Sequence, residues 1–261
     1  MNELNTTASV KKQYASSENL STRISIHDKY STNKMGFGNW IFSNYEIEPG
    51  MKVLELGCGT GSMWKGHEEL IKRCGRLVLS DFSEGMVETT RGAIGEYDNV
   101  EYQVIDVQSI PYEDESFDVV IANMMLYHVP DLDKGLREIR RVLKKTGKFY
   151  AATYGEHGIV EHLAKLLGQY GVEDTASKAF TLQNGKEILG KHFDGVERLD
   201  YKDSLAVTNV DDLVDYAYSL ASMTSLASVP REEIRETLAQ HVADGVLNVP
   251  KEYGMFISTL A

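Results

Sequence analysis

An apolar segment that runs directly into a glycine-rich turn is the feature that most constrains the fold of this chain. The segment Val53-Leu54-Glu55-Leu56 is followed at once by Gly57-Cys58-Gly59-Thr60-Gly61. Glycine lets the backbone turn tightly and approach a ligand closely, and a helix that starts after such a turn offers unpaired N–H donors. The sequence therefore predicts a strand, a ligand-binding turn and a helix in that order.

Apolar segments alternate with helical patterns beyond this turn. Strands that are buried on both faces and alternate with helices form parallel sheets with right-handed crossovers, so the sequence predicts an α/β fold. The expected strands are Met51–Leu56, Arg76–Ser80, Val100–Ile105, Phe117–Ala122, Lys148–Thr153, Val196–Asp203 and Tyr253–Leu260. The expected helices are Ser62–Cys74, Ser83–Ile94, Leu132–Leu143, Gly158–Leu167, Leu182–His192, one capped by Asp211 and ending near Met223, and one opened by Pro230.

The overall composition excludes several classes of protein. A net charge of −12 over 261 residues argues against a general nucleic-acid binder, whose affinity depends on neutralising phosphates. The two cysteines are too few for a disulfide framework. The N-terminus is polar, without an apolar signal core, and no apolar segment is long enough to span a bilayer. We therefore expect a cytoplasmic protein that does not bind a membrane.

Acidic residues follow the second and third expected strands. Asp81 stands twenty residues beyond Gly61, and Asp106 follows Val104-Ile105. Open α/β sheets bind ligands at the carboxyl ends of their strands, where a carboxylate can accept hydrogen bonds from a ribose diol. Asp106 is placed to accept one from an exocyclic amine such as that of adenine. Either acid alone could equally cap a turn, but the placement of both favours a nucleoside-containing ligand.

Four motifs, taken in order, resemble those of the class I S-adenosylmethionine-dependent methyltransferases. The resemblance is to the small-molecule branch that includes the ubiquinone and menaquinone biosynthesis methyltransferases, and it covers roughly residues 50 to 155. The motifs are Glu55-Leu56-Gly57-Cys58-Gly59-Thr60-Gly61, Asp81-Phe82-Ser83 with Met86, Asp106-Val107 followed by Ile110-Pro111-Tyr112, and Ser116-Phe117-Asp118-Val119-Val120.

The resemblance implies a cofactor, a fold and a set of cofactor-binding residues. The cofactor would be S-adenosyl-L-methionine, and the fold a Rossmann-like, seven-stranded, mostly parallel sheet with flanking helices and an antiparallel last strand. Cys58, inside the turn, would be among the cofactor-binding residues, although its position needs only a small side chain. By resemblance, the methionine part would be surrounded by Glu55, Gly57, Gly59, Gly61 and Asn123, the ribose bound by Asp81, the adenine face covered by Phe82 and Met86, and its edge bound by Asp106 and Val107.

Catalytic and substrate-binding residues carry weaker signals. His128 and Tyr127 follow the fourth expected strand, where the active site of this family opens, so His128 is a candidate general base and Tyr127 a weaker one. Shaping the pocket is the alternative role for both. Tyr30 and Trp40 are candidates for a segment that closes over the cofactor. The segment with Tyr30 could equally be a surface helix cap, and Trp40 suits packing in a core or a lid better than a substrate platform. No metal is expected, because His157 and His162 are five residues apart, off the spacing of a helical metal pair.

The predicted organisation is an N-terminal helical cap over residues 1–48 and a methyltransferase domain over residues 49–261. Helical segments near 156–194 and 209–248 form an insertion that would shape access for a small-molecule substrate. A nucleotide-dependent oxidoreductase is an alternative, but its fingerprint G-x-G-x-x-G needs a glycine one position later than Gly61. A catalytically silent cofactor-binding module is a further alternative. The sequence does not identify the methyl acceptor or the oligomeric state.

Overall fold

A computed structural model describes residues 25–260 of the chain, apart from the side chains of residues 221, 222 and 224. Residues 25–30 are helical, and residues 1–24 of the expected cap lie outside the described part. The strands are β1 Lys52–Leu56, β2 Arg76–Asp81, β3 Val100–Val104, β4 Phe117–Ile121, β5 Leu143–Tyr154, β6 Gly195–Val207 and β7 Leu247–Thr259. The helices are α1 Phe37–Ser43, α2 Glu68–Arg73, α3 Glu84–Ile94, α4 Leu132–Val142, α5 Ile159–Leu166, α6 Gly185–Leu189, α7 Val210–Ser219 and α8 Arg231–Ala239.

The strands form a seven-stranded sheet in the order β3-β2-β1-β4-β5-β7-β6. The pairs β1–β2, β1–β4, β2–β3 and β4–β5 are parallel. In register, Leu54 of β1 lies between Val78 of β2 and Val120 of β4, and all three side chains are fully buried. Burial on both faces explains why these strands are continuous apolar runs. The predicted fold class, a mostly parallel Rossmann-like sheet with flanking helices, is confirmed.

The described residues divide into two compact units, each with its own core. The first comprises residues 38–153, 179–199 and 254–260, and its core is built on β1, β2 and β4. The second comprises residues 25–37, 154–178 and 200–253. In the second unit Leu213 and Ala217 of α7 and Ile234 and Leu238 of α8 are buried at a spacing of four residues. Each of these helices therefore presents one apolar face to the core of that unit.

The structure corrects several predicted element boundaries. The helix after the glycine-rich turn begins at Glu68 rather than Ser62, because residues 62–66 form turns that end at Gly66, whose φ is +87°. Asn209, not Asp211, caps α7: its side chain accepts a hydrogen bond from the backbone N of Asp211 at 3.1 Å. Pro230 directly precedes α8, as predicted. Strands β5 and β7 each begin several residues before their predicted starts.

A buried ion pair lies in the second unit. Lys251 of β7 pairs with Asp203 of β6, and their side chains are 2% and 0% exposed. The Lys251 ammonium also donates to Ser31 Oγ at 2.8 Å, and the Asp203 carboxylate accepts from the backbone N of Asn33 at 2.9 Å. The two charges therefore bind residues 31–33 to the two strands.

Among the described residues, no helix has both the length and the apolarity needed to cross a bilayer.

Removing the cation of this pair should destabilise the protein. In Lys251→Met the carboxylate of Asp203 stays buried without its counter-charge, so we expect the free energy of unfolding to fall by about 3–5 kcal/mol in urea titrations. The matched control is Lys165→Met, since Lys165 pairs with Glu161 but is 67% exposed; its effect should stay under about 1 kcal/mol. Equal effects of the two substitutions would contradict a structural role for the buried pair.

Candidate functional site

The glycine-rich turn, residues 57–61, follows β1 directly. Open space lies beside one of its three glycines, Gly59. Gly57, Gly59 and Gly61 have φ angles of +77°, +58° and +74°, which favour glycine. A Cβ atom on Gly57 would lie 2.9 Å from Cγ of Met125, and one on Gly61 would lie 2.9 Å from Cγ2 of Thr90. A Cβ atom on Gly59 would meet nothing within 4 Å. Gly57 and Gly61 are thus required by packing, whereas the space beside Gly59 can admit a ligand.

Asp81, at the end of β2, holds this turn in place. One carboxylate oxygen accepts a hydrogen bond from the backbone N of Gly59 at 3.1 Å, and the other accepts from the backbone N of Ser83 at 2.8 Å. Burial raises the pKa of Asp81, and the backbone hydrogen bonds act in the opposite direction. The carboxylate therefore lies beside the open position of the turn, as a group that binds a ribose diol must.

The side chains after Asp81 supply apolar surface next to it. Phe82 is 37% exposed, a large fraction for a phenylalanine, and Met86 on α3 is half-buried. An exposed aromatic ring beside a carboxylate and an open glycine turn is the combination that stacks on a planar base. Both residues stay candidates for an adenine face.

Asp106 and Val107 follow β3 and have different surroundings. Val107 is 6% exposed. Both carboxylate oxygens of Asp106 accept from the side-chain amide of Gln108, at 3.0 and 3.2 Å, and one also accepts from the Gln108 backbone N at 2.9 Å. Since a carboxylate oxygen can accept two hydrogen bonds, capacity for an exocyclic amine remains. The turn-capping role and the ligand role are therefore compatible at Asp106.

Glu55, the last but one residue of β1, is buried beneath the turn. Its side chain is 1% exposed and accepts a hydrogen bond from Nε1 of Trp64 at 2.8 Å. Burial raises the pKa of Glu55 to about 7, although hydrogen bonds from Trp64 and Asn123 lower it and the charge of Asp81 raises it. The carboxyl group is therefore partly protonated at neutral pH. Glu55 is therefore a buried polar group below the turn whose charge changes near pH 7.

Asn123, two residues beyond β4, has a partner that the sequence analysis missed. Its side-chain Nδ2 donates to the hydroxyl of Tyr45 at 2.6 Å. Its Oδ1 is buried and accepts no hydrogen bond from any residue that the structure describes. Tyr45 and Trp64 were both missed because aromatic residues in apolar surroundings are as typical of a core as of a site, and the sequence carries no spacing signal for either.

Tyr127 and His128 lie in a 3₁₀ turn, Leu126–His128, directly after the β4 region. Tyr127 is buried, His128 is half-buried, and their ring centroids are 4.5 Å apart. Trp40 is half-buried in α1, in the same compact unit as the glycine-rich turn. Tyr30 belongs to the other unit, where its hydroxyl donates to Asp212 Oδ2 at 2.5 Å. A catalytic role for the first pair and a lid role for the second stay predictions.

Cys58 lies inside the turn and is 6% exposed. Its Sγ is 3.4 Å from the hydroxyl of Thr90, and burial raises the pKa of the thiol. A neutral, buried thiol is consistent with the expectation that this position needs only a small side chain.

Within residues 25–260 the structure brings together no group of three or more His, Cys, Asp and Glu that could hold a metal ion.

Comparison with known proteins assigns the glycine-rich turn and its surroundings to a class. Residues 54–151 match the family described as "Methyltransferase domain". Ubiquinone/menaquinone biosynthesis C-methyltransferase UbiE of Hydrogenovibrio crunogenus is 36% identical over 116 residues, which cover 42% of this chain and 44% of that protein. The matched region spans less than half the length of this curated relative. The match to the methyltransferase family, residues 54–151, includes every candidate cofactor-binding residue named above.

Solved structures share the fold at low sequence identity. Phosphoethanolamine N-methyltransferase 2 of Haemonchus contortus, solved with S-adenosyl-L-methionine, has a TM-score of 0.57 and 19% identity, covering 98% of this chain and 59% of that one. The [4+2]-cyclase SpnF has a TM-score of 0.52 and 17% identity, covering 86% of this chain and 80% of that one. At these identities the likeness concerns the fold alone.

Residues 54–151 thus match a methyltransferase domain, the class of protein that the four sequence motifs predicted, and they belong to a Rossmann-like sheet. Within that class the domain is similar to the UbiE C-methyltransferases. The residues present fit the cofactor of this class. The space beside Gly59, which a side chain at that position would fill, can hold part of the cofactor, and the Asp81 carboxylate lies next to it. Asn123 Oδ1 is a buried acceptor to which an ammonium group can donate a hydrogen bond.

The pKa of Glu55 predicts a pH dependence of stability. With a folded pKa of about 7, above the ordinary value of 4.5, the folded state binds more protons than the unfolded state between these pH values. The free energy of unfolding should therefore fall as pH rises through this window. The side chain of Glu55→Gln cannot ionise. Relative to this variant, the free energy of unfolding of the ligand-free wild type should fall by about 3 kcal/mol between pH 4.5 and 8.

Urea titrations of both proteins across this pH range measure the difference. Other titrating groups are common to both proteins, so the difference between them isolates residue 55. A difference that stays constant over the range would show that the pKa of Glu55 is the same in the folded and unfolded states, and would contradict the raised pKa.

Proposed function

We propose that this chain transfers a methyl group from S-adenosylmethionine to a small-molecule acceptor. The observation that carries the proposal is the open position at Gly59 beside the carboxylate of Asp81, inside a domain that matches the methyltransferase family. The UbiE similarity supports a small-molecule acceptor, because the name of that relative describes methylation in the biosynthesis of ubiquinone and menaquinone. A cytoplasmic location stays a prediction.

Each end of the cofactor has candidate residues in this proposal. Asp81 binds the ribose hydroxyls as the acceptor of charge-assisted hydrogen bonds, and Phe82 covers the adenine with its exposed face. Asp106 accepts from the exocyclic amine. Asn123 and the backbone around Gly57 and Gly59 bind the methionine part. The same carboxylate of Asp81 thus serves the turn and the ligand, which requires that it stay ionised.

The chemistry required of the protein is limited. When bound, the cofactor supplies a methyl group activated by a sulfonium, which an acceptor attacks in line. The protein contributes orientation and exclusion of water, and these account for most of the acceleration when the acceptor needs no deprotonation. His128 is the candidate to remove a proton from an acceptor that carries one, and Tyr127 packs against its ring.

A second candidate function is cofactor binding without methyl transfer. The structural likeness to SpnF supports this second candidate, because SpnF has a similar fold and is a [4+2]-cyclase. Incubation with methyl-labelled S-adenosylmethionine and a cell metabolite extract, followed by mass spectrometry, separates the two. A labelled product supports methyl transfer and identifies the acceptor atom; tight cofactor binding with no labelled product supports the second function.

Asp81→Ala should weaken binding of S-adenosylmethionine by about 2–3 kcal/mol, because two charge-assisted hydrogen bonds to the ribose are lost. Isothermal titration calorimetry measures this change. The matched control is Asp118→Ala, at the amino end of β4. Its carboxylate also accepts from a backbone N, that of Lys52 at 2.8 Å, and pairs with Lys144, but it lies at the start of its strand rather than at the end.

Asp118→Ala should leave the affinity unchanged within about twofold, since it removes a comparable carboxylate without touching the proposed site. A folded Asp81→Ala protein with wild-type affinity would remove Asp81 from the ribose site. Equal losses in both variants would show that the effect is a general destabilisation.

His128 should be tested once the labelling experiment has supplied an acceptor. If His128 is a general base, His128→Ala should lower kcat by roughly 10²- to 10⁴-fold and leave cofactor affinity nearly intact. His128→Asn should then be equally impaired, because an amide hydrogen-bonds but takes no proton at neutral pH. Near wild-type turnover of His128→Asn across pH would reject the base and leave orientation and desolvation as the mechanism.

A further inference from the structure

The hydroxyl of Tyr45 and the amide of Asn123 form a hydrogen bond between chain positions that are 78 residues apart. The backbone on both sides of Asn123 is fixed, because Ala122 N donates to Tyr150 O and Met124 N donates to Ala152 O, each at 2.8 Å. Met124 has a φ of +53°, in the left-handed region. The side-chain amide is therefore the part of this residue that still needs to be oriented.

Tyr45 is itself held by its aromatic neighbours. Its ring packs edge-on against Tyr150 at 5.0 Å between centroids, and it is tilted against the ring of Phe42 at 5.4 Å. The ring of Tyr150 supplies this packing surface, whereas its hydroxyl accepts from the backbone N of Glu46 at 3.0 Å. Burial raises the pKa of Tyr45 well above its ordinary value, so the phenol stays neutral. Its hydroxyl is a fixed, uncharged partner for Asn123.

The orientation of the Asn123 amide decides which atom is offered to a ligand. An asparagine amide can turn by 180° and exchange its oxygen and nitrogen. Here Nδ2 is engaged by Tyr45, and hydrogen bonding from the same amide lowers the pKa of the nearby Glu55, so the nitrogen is directed to these two residues. Oδ1 is left as a buried acceptor without a donor among the described residues. A buried acceptor of this kind requires a donor.

We propose that Tyr45 is a positioning residue that holds the Asn123 amide with Oδ1 available to accept a hydrogen bond from the α-ammonium group of the cofactor. The inference rests on the proposed function, since it needs an amino-acid moiety bound beside the glycine-rich turn. Tyr45 acts through Asn123 and does not itself contact the ligand. The phenol thus contributes to selectivity for ligands that carry the ammonium group.

The test uses three ligands with the full chain: S-adenosylhomocysteine, its analogue that lacks the α-amino group, and 5′-methylthioadenosine, which lacks the whole amino-acid moiety. In calorimetric titrations, Tyr45→Phe should bind S-adenosylhomocysteine about tenfold more weakly than the wild type, as expected for one hydrogen bond to a charged group. Its affinity for the other two ligands should stay within about twofold of wild type, because neither ligand carries the ammonium group.

Two further variants keep the result interpretable. Asn123→Ala should show the same selective loss, and adding Tyr45→Phe to it should cause no further loss, since the two residues act as one unit. The matched control is Tyr150→Phe, which removes a hydroxyl from the same aromatic group without touching Asn123. Its preference for S-adenosylhomocysteine over the deamino analogue should equal that of the wild type.

Three outcomes overturn the inference: equal weakening of all three ligands in Tyr45→Phe, no weakening of any, or the same selective loss in Tyr150→Phe. The first and third would mean that the substitutions only loosen the site. Failure of the proposed function is a separate result, because in that case the wild type either binds neither S-adenosylmethionine nor S-adenosylhomocysteine, or binds them and yields no labelled product.

Discussion

The hydrogen bond from Gly59 in the glycine-rich turn to the carboxylate of Asp81 is the interaction on which the candidate site depends. Three glycines with positive φ give this segment more backbone freedom than any other short stretch of the first unit. Asp81 removes that freedom by accepting the backbone N–H of Gly59 from one side and that of Ser83 from the other. The end of β1 and the start of α3 are thereby joined through one side chain of β2.

Burial beneath the turn sets the electrostatics of the site. Two carboxyl groups, Glu55 and Asp81, lie near each other, and the charge of Asp81 raises the pKa of Glu55. The two differ in their donors: Asp81 accepts hydrogen bonds from the backbone, whereas Glu55 accepts them from the side chains of Trp64 and Asn123. The arrangement favours one fixed negative charge at the strand edge and one carboxyl that is partly neutral below it. A cationic ligand at this edge would shift that balance further.

The sequence predicted the parts of the structure that depend on local order along the chain. It predicted the strands of the first unit, the turn at Gly57–Gly61 and the acid at the end of β2. Each of these features depends on a pattern of a few neighbouring residues: an apolar run, a cluster of glycines, or an acid directly after a strand. The late start of α2 was not predicted, since its cause is the positive φ of Gly66 rather than any loss of helical pattern. The contact between Tyr45 and Asn123 could not be predicted, because it exists only after α1, β4 and β5 have packed.

The pair formed by Lys251 and Asp203 has a consequence for how this sequence can change over evolutionary time. Either residue replaced alone leaves the other charge buried without its counter-charge, so we expect single substitutions at these positions to be selected against. Passage to an uncharged pair requires two changes, and the first of them is the costly one. Positions 203 and 251 should therefore be inherited together in descendants of this chain, even where the residues that read the substrate diverge.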